Sequence, residues 1–182
     1  MKILAIGDTH GKLNKVRDVW HKLKDIDLII HTGDYFHDAA ALKEEFHVPV
    51  IAVRGNCDGG GRQDYELVET DCGRILLTHG HSFGVDYSLD NLKYFAMEND
   101  CIAAVYGHTH RAFLTEDDGI YFINPGSLSQ PRDNSGGSYA IIRTDDDGIH
   151  ASVVYYDTVF GGNKKSGGSG FIKNILNYSD RL

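Results

Sequence analysis

Asp8-Thr-His10, Gly33-Asp34, Gly55-Asn56, His79-Gly-His81 and Gly107-His108-Thr-His110 each follow a short apolar run that reads as a strand. A chain that ends strand after strand in Asp, Asn or His has to gather those ends somewhere, and one edge of a sheet is where α/β folds build their sites. Seven of the side chains, Asp8, His10, Asp34, Asn56, His79, His108 and His110, can bind a metal through oxygen or nitrogen, and none through a thiolate. That number and mixture suit two divalent ions sharing one carboxylate, and paired ions suit hydrolysis of a phosphate ester. Carboxylate, imidazole and amide oxygen together fit manganese, iron, nickel or zinc, and argue against copper or an iron–sulfur cluster. Taken singly the motifs say less. Asp8 with His10 fits a helix cap and a surface imidazole, Gly33-Asp34 is a common turn, and His108 and His110 alone are as readily exposed as ligating. Their order, always at a strand end, is what points to a metal site.

Bulk properties set the frame. A chain of 182 residues, 41% apolar and 24% charged, is expected to form one globular domain with a real core. No apolar run approaches the roughly 20 residues of a membrane span. The opening Met1-Lys-Ile-Leu-Ala-Ile-Gly7 is too short for a signal peptide and runs straight into a motif, so the expected location is cytoplasmic. Cys57, Cys72 and Cys101 form no close pair, which suggests reduced thiols and no cysteine-bound zinc. The net charge of -8 comes without a basic cluster, so neither stable nucleic-acid binding nor membrane binding is expected. Two divalent ions would halve that deficit and concentrate the added positive charge where a phosphate could bind.

Along the chain, residues 2–7 read as a strand and 12–24 as a helix with apolar Leu13, Val16, Val19, Trp20 and Leu23. Residues 27–31 and 48–53 read as strands around a short helix at 39–46. That order predicts a parallel sheet with crossover helices. A hairpin over 65–70 and 74–78, a helix over 89–99 and strands at 102–106, 112–115, 120–123, 139–144 and 149–156 follow. The α/β first half therefore passes into a strand-rich second half, an α/β (α+β) fold of two packed sheets with helices outside. Residues 1–160 are expected to form the domain. The Gly-rich loop and amphipathic helix of 161–182 are expected to dock on it, although an exposed apolar helix there would favour a homodimer.

Gly7-Asp-Thr-His-Gly11, His31-Thr-Gly-Asp34, Arg54-Gly-Asn-Cys-Asp58, Leu77-Thr-His-Gly-His81 and Tyr106-Gly-His-Thr-His110 resemble the signature of the calcineurin-like metallophosphoesterase superfamily. Asn124-Pro-Gly-Ser127 resembles the closing motif of its small bacterial and archaeal phosphodiesterase branch. The resemblance covers residues 2 to about 156. It implies a four-layer fold, two mixed sheets packed together with helices on both outer faces. It assigns one ion to Asp8, His10, Asp34 and His110, and a second to Asp34, Asn56, His79 and His108, with Asp34 bridging and a hydroxide between the ions as nucleophile.

One departure refines the assignment. Many phosphatases of the superfamily carry a histidine after the Gly-Asn of the third motif, able to protonate the leaving group; here that place is Cys57. The phosphodiesterase branch often shows this cysteine. A neutral thiol is a poor proton donor to an alkoxide, so Cys57 is read as neither acid nor nucleophile. His81, two residues beyond His79, and His37, three beyond Asp34, are candidates for the gap, His81 as a substrate contact or a support for a ligand and His37 more simply as an exposed imidazole. His31 reads as buried and hydrogen-bonded, and His21, His47 and His150 as surface residues. Arg54 and Arg111 flank ligand motifs, where a surface ion pair is preferred to a phosphate contact. Asp58 is expected to orient Asn56 or a loop, and Tyr35 and Phe36 to wall the cleft or pack in the core.

The resulting reading is a metal-dependent phosphodiesterase acting on a small or nucleotide-like phosphodiester, with Asp34, Asn56, His79 and His81 as its catalytic set. Two divalent ions are implied, manganese first, with nickel, iron or zinc also suited. The alternatives are a phosphomonoesterase (a nucleotide or protein phosphatase) and a non-catalytic scaffold of the same fold, which the complete ligand set disfavours. No cap domain is recognisable, and residues 59–64 offer only flexibility beside the site.

Overall fold

The computed structural model describes residues 1–59 and 64–161. Its first half runs β1 (Lys2–Ile6), α1 (Asn14–Lys22), β2 (Leu28–His31), α2 (Phe36–Phe46) and β3 (Val50–Ala52). Then come β4 (Tyr65–Thr70), β5 (Gly73–Thr78), a 3-10 turn (His81–Phe83), α3 (Asp90–Glu98) and β6 (Cys101–Val105). The chain continues through β7 (Ala112–Asp117), β8 (Ile120–Pro125), β9 (Ser138–Asp145), β10 (Gly148–Tyr155) and α4 (Tyr156–Phe160). Two five-stranded sheets result, ordered β10-β9-β1-β2-β3 and β4-β5-β6-β8-β7. Both are mixed. β1, β2 and β3 are mutually parallel, as are β5, β6 and β8, and the remaining pairings are antiparallel.

Strand β1 shows why the apolar runs are continuous and not alternating. Its residues Ile3 and Ala5 face the second sheet while Leu4 and Ile6 face the helices, so both of its faces are buried. Between the sheets, Ile3, Ile30 and Val53 meet Ile75, Leu77, Val105 and Ile123. On the far side of the first sheet, Leu4, Ile6 and Ile29 pack on Val16 and Val19 of α1 and Leu42 and Phe46 of α2. On the far side of the second, Leu76, Ala104 and Phe122 pack on Leu92 and Ala96 of α3. Each fully buried Leu, Ile or Phe contributes about 1.5–3 kcal/mol relative to exposure, and three such clusters separate four layers. The expected helix–sheet–sheet–helix architecture is what forms.

The boundaries differ from expectation in instructive places. Helix α2 begins at Phe36 instead of residue 39, because Tyr35 adopts left-handed φ (73°) and turns the chain straight from the strand end into the helix. Strand β3 is only three residues long. Pro49 at its entry has no N–H to give a ladder and offers only its carbonyl, to Ile29 N–H. The last strand stops at Tyr155, and residues expected to extend it or form a loop make α4, whose Tyr156 and Phe160 rings stack at 4.5 Å. A single helical turn is too short for periodicity to reveal. The Gly-rich stretch and C-terminal helix expected over 161–182 fall outside the described residues apart from Gly161, as do residues 60–63. Among the described residues no helix is long and apolar enough to cross a membrane.

Beyond the strand ends, His31 ties three segments together. Its Nδ1 accepts the Gly33 N–H (3.1 Å), so Nε2 carries the proton and donates to Thr9 Oγ1 (2.9 Å). The Thr9 hydroxyl then donates to Asp38 Oδ2 (2.6 Å), which also accepts the Gly11 N–H (2.9 Å). The loop after β1, the loop after β2 and the first turn of α2 are thereby linked. His31 is fully buried, as its place in an apolar strand predicted, and burial pushes its pKa down to about 4 against the opposing pull of Asp38, Asp58 and Asp34.

A buried imidazole held neutral makes stability pH-dependent. The unfolded chain, with an ordinary His pKa near 6.5, binds more protons than the native state between pH 6.5 and 4. Stability is therefore expected to be intact above about pH 6.5 and to fall on acidification toward pH 4, by up to about 3 kcal/mol from His31. Urea unfolding of chelator-treated protein across that range, compared with His31→Gln, checks this; equal slopes in both proteins would show that His31 is not the titrating group.

Candidate metal centre

The five motifs sit at the C-terminal ends of β1, β2, β3, β5 and β6, five of the six parallel strands of the two sheets. The loops are pinned edge to edge: Asp8 N–H donates to Gly33 O (3.0 Å) and Gly107 N–H to His79 O (3.0 Å). Asp8, His10, Asp34 and His110 each bring one donor atom, and the four atoms lie within 4.8 Å of one another. His10 Nε2 is 3.7 Å from Asp34 Oδ2, His110 Nε2 is 3.5 Å from Asp8 Oδ1, and the two imidazole Nε2 atoms are 3.3 Å apart. On the other side of Asp34, His79 Nε2 lies 3.6 Å from Oδ1 and 3.0 Å from Asn56 Oδ1. The His108 ring stands against His79, with centroids 5.1 Å apart. All seven sequence-nominated donors are brought together, and the two oxygens of Asp34 face different halves of the set.

Backbone conformation is strained at this point. Asp8 (φ 50°), His10 (48°), Asp34 (52°), His108 (69°) and His110 (56°) are all left-handed. Non-glycine residues reach this region at a cost of about 1–2 kcal/mol, somewhat eased for Asp and His. Such outliers persist only where surrounding contacts over-determine them.

Those contacts can be named. Asn124 Nδ2 donates to Gly107 O (3.0 Å) and Thr109 Oγ1 (3.1 Å), fixing the loop that carries His108 and His110. Ser127 and Ser129 hydroxyls both donate to Asp8 O (2.9 and 2.8 Å). The Asn124–Ser127 motif thus acts by bracing two ligand loops. Asp58 accepts the Phe36 N–H (2.7 Å) and the Gly55 N–H (2.8 Å), joining the loop after β3 to the start of α2. Two glycines are required by close approach. A Cβ on Gly55 would come 2.2 Å from Asp34 Oδ1, and one on Gly107 would come 2.4 Å from Thr32 Oγ1 and 2.9 Å from Asp8 Oδ2.

The proton inventory shows what the site lacks. His110 Nδ1 faces Gln130 O (2.7 Å) and His79 Nδ1 faces Thr32 O (2.8 Å). A carbonyl can only accept, so both Nδ1 atoms carry the proton and both Nε2 atoms of the neutral rings present bare lone pairs. Burial lowers the pKa of both, that of His79 to about 4, which keeps them neutral. His108 Nε2 is engaged by Asp86 (2.8 Å), leaving Nδ1 as its free nitrogen. Buried Asp8 Oδ1 has no hydrogen-bond partner. Burial, and then the charge of Asp34, raise the Asp8 pKa well above the ordinary value. For Asp34 burial pulls upward too, but the Cys57 N–H (3.0 Å) and nearby imidazoles outweigh it and hold the carboxyl below the usual range. Lone pairs aimed at carboxylates, with an orphaned carboxylate oxygen among them, fit divalent cations.

Other nominated residues separate cleanly. His81 lies at the site, its ring 5.3 Å from His79 and 6.1 Å from His108, and its buried Nδ1 has no partner. His37 is exposed on the first turn of α2. Tyr35 is 45% exposed and stands edge-on to His10 (5.3 Å), so it walls the site instead of packing in the core, whereas Phe36 lies under Arg54. The surface ion pairs expected for Arg54 and Arg111 do not form among the described residues. Arg54 faces the carbonyls of Asp58 and Gly59 (3.4 Å each), and the Arg111 side chain borders an open cleft. Cys57 is an exposed thiol whose pKa is pushed up to about 11 by burial of its sulfur and by Asp34, so it stays protonated. Sequence reasoning missed Asp86 and Ser129. Neither falls in a motif, and only the folded loops bring them to His108 and Asp8.

Comparison with known proteins gives the same result by another route. Residues 1–147 match the family model described as the calcineurin-like phosphoesterase superfamily domain. The probable metallophosphoesterase YsnB of Bacillus subtilis is 35% identical over 159 residues, covering 86% of this chain and 91% of that protein. The phosphodiesterase YfcE of Escherichia coli K12 is 37% identical over 171 residues, covering 80% and 89%. A conserved, predicted phosphoesterase of Streptococcus pneumoniae TIGR4 superposes with a TM-score of 0.73 at 29% identity, covering 86% of this chain and 90% of that one. With its fold, its strand-end donors and these relatives in agreement, the chain belongs to the calcineurin-like phosphoesterase superfamily.

Proposed function

We propose that this protein is a phosphodiesterase that uses two divalent ions, manganese foremost by donor chemistry and nickel, iron or zinc as alternatives, to hydrolyse a small or nucleotide-like phosphodiester. The observation that carries the reading is the split orientation of Asp34, Oδ2 toward His10 and Oδ1 toward His79 and the Cys57 amide. Asp8, His10, Asp34 and His110 would hold one ion, and Asp34, Asn56, His79 and His108 the other. Bound there, the pair supplies Lewis acidity to the phosphoryl oxygens and lowers the pKa of a water.

The chain's own residues set which ester suits the site. Gln130 O, Thr32 O and Asp86 hold the three imidazoles in the tautomers that leave a nitrogen free for metal. The protonated Cys57 thiol is a weak general acid, since its pKa lies far above neutral pH. Esters whose leaving group departs without strong protonation, such as aryl or other activated diesters, are therefore favoured. His81, with an unpartnered nitrogen beside His79 and His108, is placed to touch the substrate. The relationship to YfcE, named a phosphodiesterase, supports the same substrate class.

With manganese added, the protein is expected to cleave bis(p-nitrophenyl) phosphate faster than p-nitrophenyl phosphate; a monoester preference across several metals would overturn the diester assignment. Asp34→Ala is expected to lose at least one ion by metal analysis and to lower turnover by more than the roughly 10–100-fold typical of removing a group that only supports a ligand. Parental metal content and activity in that variant would rule out a bridging Asp34. Cys57→His is expected to raise monoesterase activity relative to diesterase activity, and an unchanged ratio would remove the missing-acid argument.

A further inference from the structure

A cleft of about 660 Å³ opens beside His108 and plays no part in holding metal. Among its lining residues are Asp86, Tyr87, Thr109, Arg111, Phe113 and Arg132. It adjoins the loops that carry the candidate metal donors. Asp86 grips His108 Nε2 at 2.8 Å, Thr109 stands between His108 and His110 in the chain, and Arg132 N–H donates to His110 O at 2.9 Å.

Two features of the cleft point to a ligand. First, neither the Arg111 nor the Arg132 guanidinium has an ion pair or hydrogen bond among the described residues, whereas Arg17 is held by Glu45 and Arg74 by Glu69. Two carboxylates, Asp86 and Asp133, line the same cleft, but their oxygens are engaged elsewhere, Asp86 on His108 (2.8 Å) and Asp133 on the Ser135 N–H (3.1 Å) and Ala112 N–H (3.4 Å), so the guanidinium N–H groups keep their hydrogen-bonding capacity. Two unpartnered guanidiniums on one cleft thus offer a set of unused N–H donors of the kind that match phosphate oxygens. Second, Tyr87 is 96% exposed and Phe113 44% exposed, so ring surfaces large enough to stack on a planar group stand unused at the same cleft.

We propose that this cleft receives one ester arm of the substrate and that the arm is a nucleotide, its base against Tyr87 and Phe113 and a second phosphate on Arg111 and Arg132. Guanidinium groups match phosphate oxygens bidentately, and the volume suits a group of nucleotide size. The proposal rests on the phosphodiesterase reading for the word substrate, but the binding it requires can be measured without turnover.

The test is calorimetric titration of the manganese-loaded protein with adenosine 3′,5′-bisphosphate and with adenosine 5′-monophosphate. The bisphosphate is expected to bind roughly tenfold more tightly, the factor that one added charge-assisted contact gives. Arg111→Ala/Arg132→Ala, checked for folding by circular dichroism, is expected to bind the two ligands equally, and Tyr87→Ala to weaken both. Equal binding in the parent protein, or a preference that survives in the double variant, overturns the subsite. Failure to hydrolyse bis(p-nitrophenyl) phosphate would instead overturn the phosphodiesterase reading and leave the binding result to decide the cleft on its own.

Discussion

Two carboxylates, Asp8 and Asp34, are almost wholly out of water and share one small space. Burying an unpaired charge costs several kcal/mol even after relaxation. Yet among the described residues no Lys or Arg pairs with either group; their neighbours are imidazoles and backbone amides. The arrangement is electrostatically incomplete as a piece of protein, and cations complete it. Much of the surrounding geometry follows from holding two like charges and several bare lone pairs together until they arrive.

The fold meets that demand by division of labour. Three apolar clusters carry the stability, and the strand ends they fix deliver the donors. Local backbone is then forced into left-handed conformations at five ligand positions, where extended or helical geometry would aim the side chains elsewhere. The opposing forces come from polar contacts one step out: Ser127 and Ser129 on the Asp8 carbonyl, Asn124 on the Gly107 carbonyl, Asp58 on two amides, and the Gly33–His31–Thr9–Asp38 chain. Most of these groups are buried or half-buried, so removing one leaves an unsatisfied partner as well as a loosened loop.

The clustering of the candidate donors was legible in the sequence because their chemistry resides in residue types and their location in strand ends, both of which are local signals. The four layers were legible for the same reason, since runs such as Lys2–Ile6 can only be strands covered on both faces. What was not legible depends on through-space proximity. Asp86 meets His108 across 22 residues, and nothing in Val85-Asp86-Tyr87 marks it. The early start of α2 depends on one left-handed residue, Tyr35, of a type that seldom signals such a turn. Arg111 was assigned a surface partner on average behaviour, whereas the folded loops leave it facing a cleft instead.

Position 57 shows how such a centre can change its chemistry while keeping its shape. The contact that matters to the metal ligands is made by the Cys57 backbone N–H, which donates to Asp34 Oδ1 at 3.0 Å. Any residue other than proline can supply it. The side chain at the same position is exposed and protonated, and in the proposed phosphodiesterase it would decide whether a ready proton donor faces the leaving group. On that proposal, metal geometry and leaving-group chemistry are carried by different atoms of one residue. A thiol here removes the acid and leaves the Asp34 hydrogen bond intact, so selectivity between esters can shift without rebuilding the ligand loops. At the other end of the site Asp86 fixes His108 and also borders the cleft lined by Arg111 and Arg132. In the proposed phosphodiesterase the strained loops would set the reaction centre, and residues outside the donor set would choose the substrate.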